Sequence, residues 1–297
     1  MTTASSLSSN NIEGATVTET RRVAYQGTSG AYSHLACRRV FPDWEAVACD
    51  DFQSALELVA NGFAERAMIP LENSTAGRVE EIYRLIPRTS LFVTAEHFEP
   101  INHCLLALPG ASLADIESVA SHPQALAQCH QRITNLGMKA VASMDTAMEA
   151  EALSLSGDRT RGAIASELAA ELYGLDILHE NFQDVMGNTT RFLVFSREAE
   201  HKEYDASVKY ITSLMFSVRN IPAALYKALG GFATNNVNLL KLESYMDGGT
   251  MKASHFHMDI QGHPQQHDML LALEELDYFA GDVRILGTYP AHAYRAG

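Results

Sequence analysis

The chain has 297 residues, 46% of them hydrophobic and 20% charged, enough to bury the cores of two medium domains or of a bilobed domain plus a small one. Its formal net charge of −14 argues against a nucleic-acid partner and leaves a small anion only a locally positive pocket. No apolar run reaches membrane-spanning length, and Cys37, Cys49, Cys104 and Cys129 form no CxxC pair, so the expected protein is cytoplasmic, with reduced thiols and no membrane part.

Residues 1–20 are rich in Ser, Thr and Asn and are expected to be a disordered tail. Across 21–198, short apolar runs alternate with amphipathic helical stretches. Val23-Ala24-Tyr25, Ala67 to Pro70, Ser118 to Ala120, Lys139 to Ala142, Ala163 to Ala165 and Arg191 to Phe195 read as strands, most of them leading into a helix. This alternation predicts parallel sheets with flanking helices. Leu91 to Leu108 is mostly extended and long enough to pass between two lobes. A charged linker over 199–207 precedes a second pattern over 208–291. There, strand Tyr210–Val218, helix Pro222–Ala233, strands Asn238–Tyr245 and Lys252–Gln261, helix His267–Leu276 and strand Asp282–Leu286 give the ferredoxin-like order βαββαβ.

Several junctions carry chemistry. Gly27-Thr28-Ser29-Gly30-Ala31-Tyr32-Ser33 joins a strand to a helix, where backbone N–H groups hold an anion, or else form a plain turn. Asn73-Ser74-Thr75 follows a strand end, where α/β sheets bind ligands; Ser74 or Thr75 also suits a helix N-cap. Ser121 and Gln124 have capping-box spacing, and Gln124 and Gln128 share a helix face able to grip oxygens. Asp145 and Ser166 read as caps first. Asn188-Thr189-Thr190-Arg191 opens a strand; there an arginine can clamp a carboxylate and a threonine can donate a hydrogen bond. His255, His257 and Asp259 alternate along one strand face, which reads as solvated exterior rather than as a metal site.

Taken in order, Tyr25 to Ser33, Ile69 to Val79, Ser121 to Cys129, Asp145-Thr146-Ala147, Ala163 to Leu178 and Asn188 to Phe192 resemble the prephenate dehydratase family. The resemblance implies an α/β fold: a bilobed, periplasmic-binding-protein-like catalytic domain with its site in the cleft. The region from Tyr210 to Pro290 resembles the ferredoxin-like ACT regulatory domain through Asn220 to Leu225, Lys241 to Ser244 and Leu286 to Pro290.

The implied activity is the decarboxylation and dehydration of prephenate to phenylpyruvate in L-phenylalanine biosynthesis, by a monofunctional carbon–oxygen lyase needing no cofactor or metal. Thr190 is the implied donor to the leaving hydroxyl and Arg191 the carboxylate anchor. Thr28, Ser33, Asn73, Ser74, Ser121, Gln124, Gln128 and Asn188 are the substrate-binding residues that the resemblance implies. L-Phenylalanine would be sensed by Asn220, Ala223, Ala224, Leu225, Glu243 and Ser244 in a homodimer or homotetramer. Two departures touch that motif: Ala223 stands where the family usually has glycine, and Tyr245-Met246 follows Glu243-Ser244 where it usually has Arg-Pro. Arogenate dehydratase is the nearest alternative and a non-catalytic sensor a remoter one.

Overall fold

The computed structural model describes residues 20–200, 202–219, 221–246 and 253–296, the side chains of 246, 253 and 254 excepted. The tail over 1–19 and Asn220 lie outside the described residues.

The apolar runs of the first region build two five-strand paths. In lobe one the order is Glu45–Cys49, Arg22–Gln26, Arg66–Asn73, Thr189–Ser196, Phe92–Pro100; the pair Gly77–Arg78 forms a short hairpin with the end of Arg66–Asn73. In lobe two the order is Asp176–His179, Cys104–Ala107, Arg161–Ala165, Ser118–Ser121, Lys139–Ala142. Both sheets are mixed, not purely parallel as the alternation predicted. The reason is the way the chain changes lobes. It leaves lobe one at Pro100 and returns at Thr189, Pro100's register partner, so those two strands must run antiparallel. Lobe two is entered at Cys104 and left at His179, and Cys104–Ala107 is likewise antiparallel to Asp176–His179. Residues 101–103 and 180–188 are therefore the two inter-lobe crossings; the first lies within the extended run expected at Leu91 to Leu108, and the second had no such expectation. Strands Glu45–Cys49 and Asp176–His179 had no clear sequence signal, since both lie at sheet edges and are only partly buried.

The C-terminal region carries strand Tyr210–Ser217, helix Ala224–Thr234, strands Leu239–Met246 and Ala253–Gln261, helix His267–Phe279 and strand Val283–Pro290. Its antiparallel sheet runs Leu239–Met246, Ala253–Gln261, Tyr210–Ser217, Val283–Pro290, the ferredoxin-like arrangement. Period-2 alternation gives this sheet two different faces. Leu214, Phe216, Phe256, Met258 and Ile260 pack under the two helices. Ile211, Met215 and Tyr289 join a single core with Ile69, Leu71, Leu193 and Phe195 of lobe one. The approach is close at Gly287, where a Cβ would stand 1.8 Å from the Val93 carbonyl oxygen, so no side chain fits there.

This docking overturns the reading of the histidine strand. His257 and Asp259 are buried, because the face taken for exterior lies against lobe one. Among the described residues no helix is long and apolar enough to cross a membrane. All four cysteines are free thiols and buried.

Candidate active site

Between the lobes lies a cleft of about 460 Å³, lined by residues of both and of the crossings. Lobe one supplies Ser33, Asn73, Arg78 and Thr190; the crossings supply His103 and Asn188; lobe two supplies His122, Gln124, Gln128 and Asp145.

Asn73 has a fixed orientation. Its Oδ1 accepts from the backbone N–H groups of Thr75 (3.0 Å) and Ala76 (2.9 Å) and from the Thr75 hydroxyl (2.8 Å). The other end of the amide, Nδ2, therefore faces Thr190 and donates to its Oγ1 at 2.9 Å. An amide N–H can only donate, so Thr190 Oγ1 must accept there and its own proton is left for another partner. Thr190 is buried yet lines the cleft, so that proton is available to a group bound there.

The arrangement extends across the lobes. Gln128 Nε2 donates to Thr75 Oγ1 at 3.2 Å, while its Oε1 accepts from Asn188 Nδ2 at 3.2 Å and lies 2.8 Å from His103 Nε2. These partners assign the proton of His103 to Nε2, leaving Nδ1 to face the Tyr32 hydroxyl at 2.8 Å. Burial lowers the pKa of His103, against the opposing effect of its Gln128 hydrogen bond, and favours the neutral imidazole. Further contacts hold the lobes together: Thr28 donates to Asp145 (3.2 Å) and Ser166 to the Gly30 carbonyl (2.5 Å).

The expected site residues divide by position. Ser33, Asn73, Gln124, Gln128, Asn188 and Thr190 line the cleft. Thr28 reaches it only through Asp145, which caps the helix Thr146–Ser156. Ser74 is turned aside, its hydroxyl accepting from Thr189 N at 3.0 Å to pin the loop to the strand. Ser121 is fully buried and donates to the Ile164 carbonyl at 2.6 Å. It is not a cap either: His122 caps that helix, its Nδ1 accepting from Gln124 N.

Arg191 departs most from expectation. Neighbouring residues of a strand face opposite sides, so with Thr190 in the cleft Arg191 points into the docking junction. There it donates to Glu96 (2.9 Å), Asp259 (2.6 Å), Glu72 (3.1 Å) and the Tyr289 hydroxyl (3.2 Å). Burial would raise the Asp259 carboxyl, but Arg191 and then His257 hold it well below the usual range. Arg191 thus stands behind the cleft, paired with Glu96, Asp259 and Glu72, and is not among the residues that line the cavity.

Among the cleft residues not singled out from the sequence are His103 and Arg78. The polar pair Asn102-His103 directly before the apolar Cys104 to Leu108 was the available signal for His103.

The Prephenate dehydratase family description matches residues 23–200, more than half of the chain. The chain belongs to the prephenate dehydratase family. Its members are carbon–oxygen lyases of phenylalanine biosynthesis. Among similar proteins is the bifunctional N-acyl-homoserine lactone acylase/prephenate dehydratase of Komagataeibacter europaeus, 46% identical over 275 residues, covering 93% of this chain and 98% of that protein. Another is arogenate dehydratase/prephenate dehydratase 1 of Arabidopsis thaliana, a chloroplastic protein 40% identical over 288 residues, covering 92% of this chain and 73% of that one. Among solved structures, the prephenate dehydratase of Arthrobacter aurescens in complex with L-Phe superposes with a TM-score of 0.83 at 30% identity, over 92% of this chain and 91% of that one. The bilobed fold with a C-terminal regulatory domain is thus shared with the family.

Proposed function

We propose that the cleft converts prephenate to phenylpyruvate, with Thr190 as the hydrogen-bond donor to the departing hydroxyl. One observation carries the reading: Asn73 donates to Thr190 Oγ1, so the threonine proton is free for substrate. The bond from the ring to its carboxylate breaks and that electron pair enters the ring, releasing carbon dioxide. The ring C–O bond breaks in the same sense and its pair leaves with the hydroxyl oxygen, which takes a proton as water. No electron is gained or lost overall. A threonine hydroxyl is too weak an acid to serve alone near neutral pH, so Thr190 stabilises the departing oxygen and relays a proton from solvent. Asn73, Gln124, Gln128 and Asn188 offer neutral hydrogen bonds, which orient the substrate without over-stabilising the carboxylate that leaves.

A second reading, arogenate as substrate, has one observation in its favour. Asp145 lines the cleft, and its Oδ1 takes all three of its hydrogen bonds, from Thr28, Ala147 N and Met148 N, which leaves Oδ2 for an ammonium group. The acylase half of the Komagataeibacter relative's name is not carried over. Among the described cleft residues, no serine or cysteine is hydrogen-bonded to a base that would activate it. Parallel turnover assays on prephenate and arogenate decide between the substrates, and no turnover of either would leave a non-catalytic sensor. Asp145→Asn should impair arogenate alone.

L-Phenylalanine is the proposed effector of the C-terminal domain. A hollow of about 420 Å³ beside the start of helix Ala224–Thr234 offers Arg219 and Lys227 for a carboxylate, and Ile221, Tyr278 and Phe279 for a ring. Ala223 adopts a left-handed conformation (φ 60°), which costs alanine more than glycine. Ala223→Gly should therefore stiffen nothing away and stabilise this turn, with phenylalanine affinity read by calorimetry on both proteins. The exposed Tyr226, Leu270 and Tyr278 of the two helices support pairing into a homodimer or a tetramer, to be measured by light scattering. Four buried free cysteines support a reducing, cytoplasmic setting.

A further inference from the structure

Among the described residues that line the cleft, Arg78 is the sole lysine or arginine. It stands on the short hairpin strand Gly77–Arg78, paired with Glu72 and Asn73, and its side chain is 36% exposed. Its Nε donates to Glu80 at 2.6 Å and its Nη1 to Glu243 at 2.8 Å. Nη1 also lies 3.5 Å from the Ser244 carbonyl, and the guanidinium sits 5.6 Å from the centre of the Tyr83 ring. Glu80 is local, but Glu243 belongs to strand Leu239–Met246 of the C-terminal sheet.

A dianion entering a chain of net charge −14 needs a cation, and the amides and hydroxyls of this cleft supply hydrogen bonds without charge. We infer that Arg78 anchors a substrate carboxylate and that Glu243 is its counter-ion in the empty enzyme, displaced as substrate binds. The inference rests on the prephenate reading and names the anchor that Arg191, buried in the junction, cannot be.

Chemistry selects which carboxylate. A guanidinium on the carboxylate that departs would stabilise the ground state and oppose loss of carbon dioxide. Arg78 therefore holds the pyruvyl carboxylate, which survives in the product. Release of Glu243 leaves no stranded charge, because Lys241 lies 3.3 Å from it. Lys241 also pairs with Glu72, the residue before Asn73. The exchange thus ties occupancy of the cleft to a strand of the regulatory sheet.

The test compares wild type with Arg78→Gln, Arg78→Lys and Glu243→Gln in the full chain, by turnover of prephenate and by calorimetric titration of prephenate and phenylpyruvate. Losing charge-assisted bonds should raise the KM of Arg78→Gln about tenfold or more while kcat stays within about threefold, with partial recovery in Arg78→Lys. Phenylpyruvate, which keeps only the pyruvyl carboxylate, should lose affinity by a similar factor. Glu243→Gln, with the competitor gone, should lower KM. A folded Arg78→Gln protein with unchanged KM and unchanged phenylpyruvate affinity overturns the inference, as does a loss confined to prephenate or a Glu243→Gln KM that does not fall. Wild type that binds prephenate without converting it would sink the lyase reading instead, and the titrations would still judge the anchor.

Discussion

Arg191 and Asp259 share a hydrogen bond of 2.6 Å across 68 residues of sequence, one from an inner strand of lobe one and the other from an inner strand of the C-terminal sheet. Both are buried, and Glu96, Glu72, Ser213, Tyr289 and Arg295 complete the cluster. The regulatory domain is therefore not a tethered module. It covers the face of the sheet whose other side presents Thr190 to the cleft.

Removing Arg191 should act on stability before it acts on substrate. Arg191→Ala leaves Asp259 without its cation and Glu96 with only Arg295, and breaking a buried pair of this kind costs about 3–5 kcal/mol. Denaturant unfolding should show this loss, and limited proteolysis should cut faster within 199–207 as the domains separate. An equally stable Arg191→Ala protein with only a raised KM would return Arg191 to the role of substrate anchor.

Gly287→Ala tests the same junction by shape rather than charge. A methyl group 1.8 Å from the Val93 carbonyl oxygen cannot be accommodated without moving one strand. The expected cost is at least about 2 kcal/mol, read from the unfolding midpoint. Wild-type stability in this variant would mean that the two strands do not pack as closely as described.

Acid should loosen the structure in a definite sense. Burial holds the pKa of His257 below its ordinary 6.5, despite the opposing pull of Asp259. The unfolded chain thus takes up this proton at a higher pH than the folded one, and stability falls as pH drops below about 6.5. Asp259, held low in the folded state, adds a second loss once pH falls through the ordinary aspartate value of 3.8. Buried His103 shifts in the same direction as His257, so His257→Gln should reduce the slope between pH 7 and about 5 without abolishing it. Unfolding free energies across that range check the prediction; an unaltered slope in His257→Gln would refute it.

The proton on Thr190 can be redirected by one atom. Thr190→Val removes the donor and should lower kcat about 100-fold with a modest change in KM. Asn73→Asp puts a carboxylate oxygen where Nδ2 now donates, so the threonine hydroxyl would turn inward to it. A similar fall in kcat is expected from this near-isosteric change. Steady-state kinetics of a folded Asn73→Asp protein with near-normal kcat would dismiss the orientation argument.

Periodicity and junction residues made much of this protein legible in advance. The βαββαβ order of the C-terminal domain, the caps Asp145 and Ser166, and Asn73, Gln128 and Thr190 at strand and helix ends all rest on near neighbours in the chain. Local sequence governs such features because they depend on hydrogen bonds and side-chain spacing within a few residues. The resemblance implied roles at one site for both Thr190 and Arg191, yet alternation turns neighbours on a strand to opposite sides, and which of the two faces the cleft is not a local property. Only packing settled that, by laying the C-terminal sheet over one face of lobe one. The same contact buried His257 and Asp259, since a polar strand face is exterior until another surface with matching charge covers it. His103, Arg78 and Glu243 became interpretable only when the crossings and the hairpin brought them beside partners 25 to 165 residues away, a distance in sequence over which no local pattern carries information.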